Sequence, residues 1–396
     1  MRTALACSFA LAAACGADDS STGDVDAGDV DGATTDASTA PPAPIDPDFG
    51  DDGMRWWQSG GRIELDAVAI APGGKLHVAG FTASPSVATL ACRLTVAGAL
   101  DPTWAGDGCF DGPGAFVAAA TMTTGGLVLA GGTSVATVWR LRDDGTLDPG
   151  FGSGGAVPLT TTSSAAGAVA VDGDAVMIAS SIGGNVVMTR LNANGAVLAQ
   201  GQTASLRGPQ QLIRKADATW MTVTDAVYAV PADLTTFTPV TVPGAGLTRQ
   251  VLALPDGALL VLEHGGVHRL HRQLANGSTD LGFGVGGSVV PPPGPRAERW
   301  QAMATLADGR IVVVGHRDHT GPYQAALRVY SATGALDTSI GDAGVLLWPS
   351  LDIGAPLPLE MTLNAVAIAA DGSIVVAGGE QATNPTRAFV SRVLPL

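Results

Sequence analysis

Five of the six histidines of this 396-residue chain lie in two short stretches: His264, His268 and His271 in one, His316 and His319 in the other. Grouped imidazoles are the side chains best suited to bind a transition metal or move a proton near neutral pH. A structural metal site needs about four donors, and neither stretch holds a full set. On a strand, His268 and His271 would also point to opposite faces. Both groups are therefore read as exposed loop histidines, and no metal site is assigned. Nucleophile and phosphate motifs are missing as well: there is no G-x-S-x-G turn, no P-loop and no dinucleotide fingerprint in a βαβ setting. No nucleophile with a paired base is visible, so no catalytic residue and no cofactor is expected. Of the four cysteines, Cys7 and Cys15 lie near the start, and Cys92 and Cys109 lie in the body of the chain. A fold-back at Gly98 brings Cys92 and Cys109 within reach of a disulfide; two separate buried thiols fit the spacing equally well.

Hydrophobic residues make up 46% of the chain and charged residues only 14%, with 53 glycines. Few charges, many glycines and short Val/Ala/Leu runs describe an all-β chain with many tight turns. No apolar run reaches the ~18 residues of a spanning helix, so nothing past the N-terminus is expected to cross a bilayer. The net charge is −15 and unevenly placed. Eleven of the 36 acidic residues lie between Asp18 and Asp52, and only Arg2 among the 21 basic ones precedes Arg55, which leaves 25 acids against 20 bases from Gly53 onward. That remainder is only mildly acidic and has no basic stripe, so a nucleic acid is not an expected partner.

Arg2, the apolar run Ala4 to Ala14 and the small residues before Cys15 are the parts of an export signal. Leu11-Ala12-Ala13-Ala14-Cys15 resembles the lipobox of bacterial lipoproteins, which implies acylation of Cys15. Residues 1–15 are thus read as a lipoprotein signal peptide. Residues 16–44 are Asp, Gly, Ser, Thr, Ala and Pro with almost no large apolar side chain, the composition of a disordered tether.

The rest of the chain repeats. Asp-x-x-aromatic-Gly-x-x-Gly starts at Asp46, Asp148 and Asp280, with altered copies at Asp101 and Asp337. Two apolar runs split by a Gly or Asp-Gly turn start at Ala67, Ala118, Ala168, Ile213, Val251, Ala302 and Ala365, a strong hairpin signal each time. A third element, apolar-Arg-apolar, carries Arg93, Arg140, Arg190, Arg272, Arg328 and, at the end of the chain, Arg392. The unit is roughly 50 residues long and occurs seven times, with the fourth and fifth copies worn.

Together these segments resemble the delta-60 repeat family, most closely at Ile45–Gly53, Ala71–Gly80, Ala307–Gly315 and Arg190–Gly195. The resemblance runs from Ile45 to Leu396. It implies a propeller-like bacterial surface protein and no particular activity.

Each unit supplies about four short strands and no amphipathic helix. One such sheet cannot bury both faces alone, and radial stacking covers them. The expected fold is all-β: a seven-bladed β-propeller of four-stranded antiparallel blades over 45–396. Its phase also predicts a closure. The chain ends on an Arg strand with nothing after it and begins, at 45–57, with the piece that follows that strand in complete units. The N-terminal piece is therefore the outer strand of the last blade.

Propeller ligands often meet the central channel where the innermost strands begin. Counting about eight residues back from each turn places Asp66, Ala118, Ala165 or Ala166, Gln210 or Gln211, Arg249, Gln301 and Asn364 there. Asp66, Arg249, Gln301 and Asn364 are the candidate ligand contacts in a ring that reads as polar but mostly neutral. Trp56, Trp57, Trp300 and Trp348 are expected as wedges between blades. The function expected is that of a non-enzymatic cell-surface lipoprotein, monomeric and held to a bacterial membrane by its lipid. It would bind a protein, glycan or small molecule whose identity the sequence does not carry. The alternative is an exported propeller enzyme of the sugar dehydrogenase, lactonase or lyase type. Carboxylate, His and Arg clustered at the channel mouth would favour that alternative.

Overall fold

Hydrogen bonding joins the strands into seven four-stranded antiparallel sheets. The structure is a computed structural model. It describes residues 44–396 apart from 59–60, 84–86, 114–115, 122–125, 133–134, 160–163, 205–208, 215–218, 224–225, 245–246, 265–266, 292–296, 320, 349–359 and 381–385. The expected signal peptide with Cys15, and all of the expected linker except Pro44, lie outside the described residues. Among those residues no helix is long and apolar enough to cross a membrane.

Six sheets use four strands in chain order. Their first strands, with that of the seventh, are Ile63–Ile70, Phe116–Thr121, Ser164–Asp172, Pro209–Arg214, Leu247–Ala253, Glu298–Thr305 and Met361–Ile368. Each of these touches the first strand of the next sheet, and Met361–Ile368 touches Ile63–Ile70, so the first strands are the innermost. The apolar core is divided in the same way. Seven buried clusters each lie between two successive sheets, and one joins Leu65, Val78 and Cys92 of the first sheet to Val375, Ala377 and Val390 of the last. Both faces of a sheet are buried, which is why the strands read as continuous Val/Ala/Leu runs. This is a β-propeller with four-stranded antiparallel blades. Trp57, Trp300 and Trp348 are buried in clusters shared by two sheets, and Trp56 packs against one.

The last sheet is completed from the other end of the chain. Met54–Gln58 pairs with Arg387–Val393, outside Ile374–Glu380 and Met361–Ile368. Its corner shows what the repeated Asp, aromatic and Arg do. Arg392 Nε donates to Asp46 Oδ2 at 2.6 Å, and its guanidinium lies 5.3 Å from the centre of the Phe49 ring. Arg140 pairs with Asp148 and lies over Phe151, and Arg93 pairs with Asp101 and lies over Trp104, in the same way. Asp101 is held well below the usual carboxylate range. Burial opposes its ionisation, but hydrogen bonds from Lys75 and Thr103 and the charge of Arg93 outweigh it. The repeat motif is therefore architectural. Arg328 departs from it: Asp337 N bonds to Val329 O, where Asp101, Asp148 and Asp280 bond to the carbonyls of Arg93, Arg140 and Arg272. Arg328 is thus one residue out of phase and points to the opposite face, where it meets Glu298.

Cys92 and Cys109 stand opposite each other on adjacent strands and form a disulfide across a 17-residue separation. Closing a loop of this size contributes about 3 kcal/mol in the chain-entropy account. A Cys92→Ala/Cys109→Ala variant should lose about that much in a urea titration; an unchanged midpoint would contradict a stabilising bond.

Candidate functional site

Every inner strand is broken once, near its start, by a β-bulge that leaves one residue without a partner. These residues are Asp66, Val117, Gly167, Gln210, Arg249, Gln301 and Asn364. A bulge re-aims the side chain it carries. All four candidate contacts, Asp66, Arg249, Gln301 and Asn364, are bulge residues. In the second and third sheets the position falls on Val117 and Gly167. Ala118, Ala165 and Ala166 sit in the ordinary ladder, as does Gln211 in the fourth. Glycine on the facing strand makes room. A Cβ at Gly80, Gly315 or Gly378 would lie 1.8, 1.9 or 2.0 Å from the carbonyl oxygen of Glu64, Arg299 or Thr362. This close approach explains the glycine of the second strand in those repeats.

The amide side chains are engaged between sheets. Gln211 Oε1 accepts from Val251 N at 2.8 Å, Gln250 Oε1 accepts from Met303 N at 2.6 Å, and Asn364 Nδ2 donates to Leu65 O at 3.3 Å. Each bond satisfies a backbone group on the free edge of the neighbouring inner strand. Of the expected ring, Gln211 and Asn364 thus link sheets, and Asp66 and Arg249 are its charged members.

Those charges are Asp66 and Arg249. Arg249 Nε donates to the carbonyl of Gln301 at 3.0 Å, which orients the guanidinium. Among the described residues its terminal nitrogens have no hydrogen bond to protein, nor has the Asp66 carboxylate, and the two are not in ion-pair contact. Each nonetheless acts on the other. Burial raises the Asp66 carboxyl to about 7; Glu64 adds to the rise, while Arg62 and Arg249 oppose it. Burial likewise lowers Arg249 from its ordinary range, with Asp66 acting in the opposite sense. They stand at corresponding bulges of the inner strands of the first and fifth sheets, which are not neighbours, and each feels the charge of the other. Water reaches Asp66 there although protein surrounds it, as in a narrow channel.

His264 and His268 stand near Arg249, with ring centroids 4.5 Å apart in an edge-on pair. Burial lowers both, His268 to about 4, and the charges of Arg249 and Arg299 act in the same direction, so both are neutral at pH 7. His268 Nδ1 accepts from Trp300 N at 3.2 Å. His271 Nε2 lies 2.7 Å from Glu263 Oε2, and His316 Nδ1 lies 3.1 Å from Thr362 Oγ1. The expectation of exposed loop histidines is overturned, since His268, His271 and His316 are buried and bonded. Neighbouring sheets cover these strand ends, which spacing within one hairpin does not reveal. The side chain of His319 lies outside the described residues. No group of three or more His, Cys, Asp or Glu able to hold a metal occurs among the described residues.

Comparisons with known proteins bear on the fold. The family model described as a domain of unknown function (DUF5122) beta-propeller matches residues 306–339, part of one repeat. No curated protein matches the chain. Among solved structures, a catalytically inactive virginiamycin B lyase from Staphylococcus aureus with quinupristin is similar at TM-score 0.54 and 10% identity. That match covers 85% of this chain and 98% of the lyase. The WD40 β-propeller domain of Doa1 is similar at TM-score 0.50 and 13% identity, over 85% of this chain and 97% of that one. At such identities the likeness is one of architecture alone, and it agrees with the sheets and cores described above: the chain folds as a β-propeller.

Proposed function

We propose that the chain is a seven-bladed propeller serving as an exported, lipid-anchored binding module, with a polar ligand held at the mouth of its central channel. Seven sheets and seven inter-sheet cores support the blade count. The lipobox-like Leu11–Cys15 and the acidic tether support the anchor. The observation that carries the binding site is the pair Asp66 and Arg249, opposite charges at corresponding inner-strand bulges, without protein hydrogen bonds at their free ends among the described residues. Arg249 is half-buried and Asp66 is wetted, and charged groups of perturbed pKa in a cleft are candidates for a functional site.

The enzyme reading has one observation on its side: a carboxyl near 7 with Arg249 and two neutral imidazoles close by, the kind of set that general acid–base catalysis uses. A thermal-shift screen of metals, glycans and small polar metabolites tests both. Binding at about 100 times Kd adds about 2.7 kcal/mol, so a ligand of the channel should raise the melting temperature by a few degrees in the wild type and not in Arg249→Gln. Consumption of that ligand during the incubation would establish the enzyme. The absence of any Arg249-dependent shift would remove the channel site.

A further inference from the structure

We infer that the channel site takes a small zwitterion, with its ammonium on Asp66 and its carboxylate or phosphate on Arg249; the inference rests on the channel-binding reading above. Two other cations that act on Asp66 or on His264 have partners. Arg62 Nε donates to Glu64 Oε1 at 3.0 Å, and Arg299 Nε lies 3.8 Å from Asp318 Oδ1. His264 and His268 are neutral and offer no rival cation. Asp66 and Arg249 remain, on sheets that are not neighbours, with no ion pair or hydrogen bond at their charged ends among the described residues.

A simple anion would satisfy Arg249 but leave Asp66 facing added negative charge. A simple amine would do the reverse. One molecule carrying both charges compensates both, and its length is set by the gap. The bond from Arg249 Nε to the Gln301 carbonyl leaves the two terminal nitrogens to grip an oxyanion. The half-buried Gln301 side chain, carried on the residue whose carbonyl holds Nε, has no hydrogen bond among the described residues.

The test is calorimetric titration of the full chain with β-alanine, 4-aminobutyrate and 6-aminohexanoate, with n-butylamine and butyrate as single-charge controls. One chain length should bind best, about tenfold or more tighter than either control. Asp66→Asn and Arg249→Gln should each weaken it by about tenfold or more. Arg249→Lys, which keeps the charge and loses the fork, should fall between. Circular dichroism melts of the variants within a few degrees of wild type would show that the fold is intact. The ionised form of Asp66 is the one that receives an ammonium. Its carboxyl lies at about 7, with the charges of Glu64, Arg62 and Arg249 acting on it, so affinity should rise with pH through 7 and level off above. Below that plateau, binding should release a proton, measurable by repeating the titration in buffers of different ionisation enthalpy.

Butyrate binding as well as 4-aminobutyrate, or an Asp66→Asn variant that binds normally, would overturn the inference. Suppose no ω-amino acid binds while another molecule from the screen binds and is lost in Arg249→Gln. The zwitterion then falls and the channel-binding reading stands. If nothing depends on Arg249, both fall.

Discussion

Deleting residues 45–58 is expected to abolish cooperative unfolding of the whole propeller rather than trim one edge. The segment adds a full outer strand to the last sheet, in register from Met54 opposite Ser391 to Gln58 opposite Arg387. It also fills two cores at once. Ile45 and Met54 are buried in the cluster between the sixth and seventh sheets, and Phe49 and Trp57 in the one between the seventh and first. Ser391 Oγ donates to Gly53 O at 2.7 Å. Gly50 N and Arg392 Nη1 reach on to the Ala97 and Val96 carbonyls of the first sheet, at 2.8 and 2.6 Å. Burying one large apolar side chain contributes about 1.5–3 kcal/mol. Four of them approach the entire stability of a typical domain, about 5–15 kcal/mol. A melt followed by far-UV circular dichroism should show the sharp wild-type transition replaced by a broad, early one. Phe49→Ala is the milder probe and should cost about 3–5 kcal/mol in a urea titration. A truncated protein melting like the wild type would mean that the ring does not depend on its seam.

The seam was legible because it is a matter of phase: the chain starts with one part of a unit and stops with the part before it. The inner-strand positions were legible to within two residues. Counting from the Gly74, Gly257, Gly309 and Gly372 turns reaches the bulges at Asp66, Arg249, Gln301 and Asn364 directly. It misses Val117 and Gly167, because a bulge has no residue type of its own to announce it. What the sequence withheld are contacts between distant parts of the chain. Nothing local to Asp66 indicates that the charge of Arg249 reaches it from a sheet nearly two hundred residues later, and nothing local to Gln211 or Gln250 indicates that each caps the next strand. The histidines failed for the same reason. His268 looks like a loop residue within its own hairpin, yet it is buried and accepts from Trp300 N of the next sheet. Arg328 looks like one more copy of the repeated Arg. One residue of phase, invisible among apolar neighbours, sends it to the other face of its strand.

That change of face makes Arg328→Met the second large effect, an expected loss of about 3–5 kcal/mol. Arg328 donates to both oxygens of Glu298, through Nε at 2.7 Å, and through Nη1 to the Gly344 carbonyl at 2.9 Å. The two side chains are 5% and 4% exposed. Burial works against the Arg328 charge, but the hydrogen bonds and charge of Glu298 more than offset it and raise the guanidinium above its ordinary range. Removing the arginine leaves a carboxylate deep in protein with only Arg317 nearby, its Nε at 4.0 Å. The cost is chiefly that of the stranded charge, so it should be reversible. Glu298→Leu/Arg328→Met removes both charges and should recover most of the loss, as apolar replacements of buried pairs commonly do. Urea titrations of the wild type, both single variants and the double variant give the coupling directly. The comparison that isolates burial is Arg140→Met, whose pair with Asp148 is 13% and 19% exposed and should cost distinctly less. Equal losses at the two sites would mean that the repeated corner, and not the desolvated pair, sets the penalty. A loss under about 1 kcal/mol at Arg328, the range of exposed pairs, would mean that Arg317 moves in to replace it.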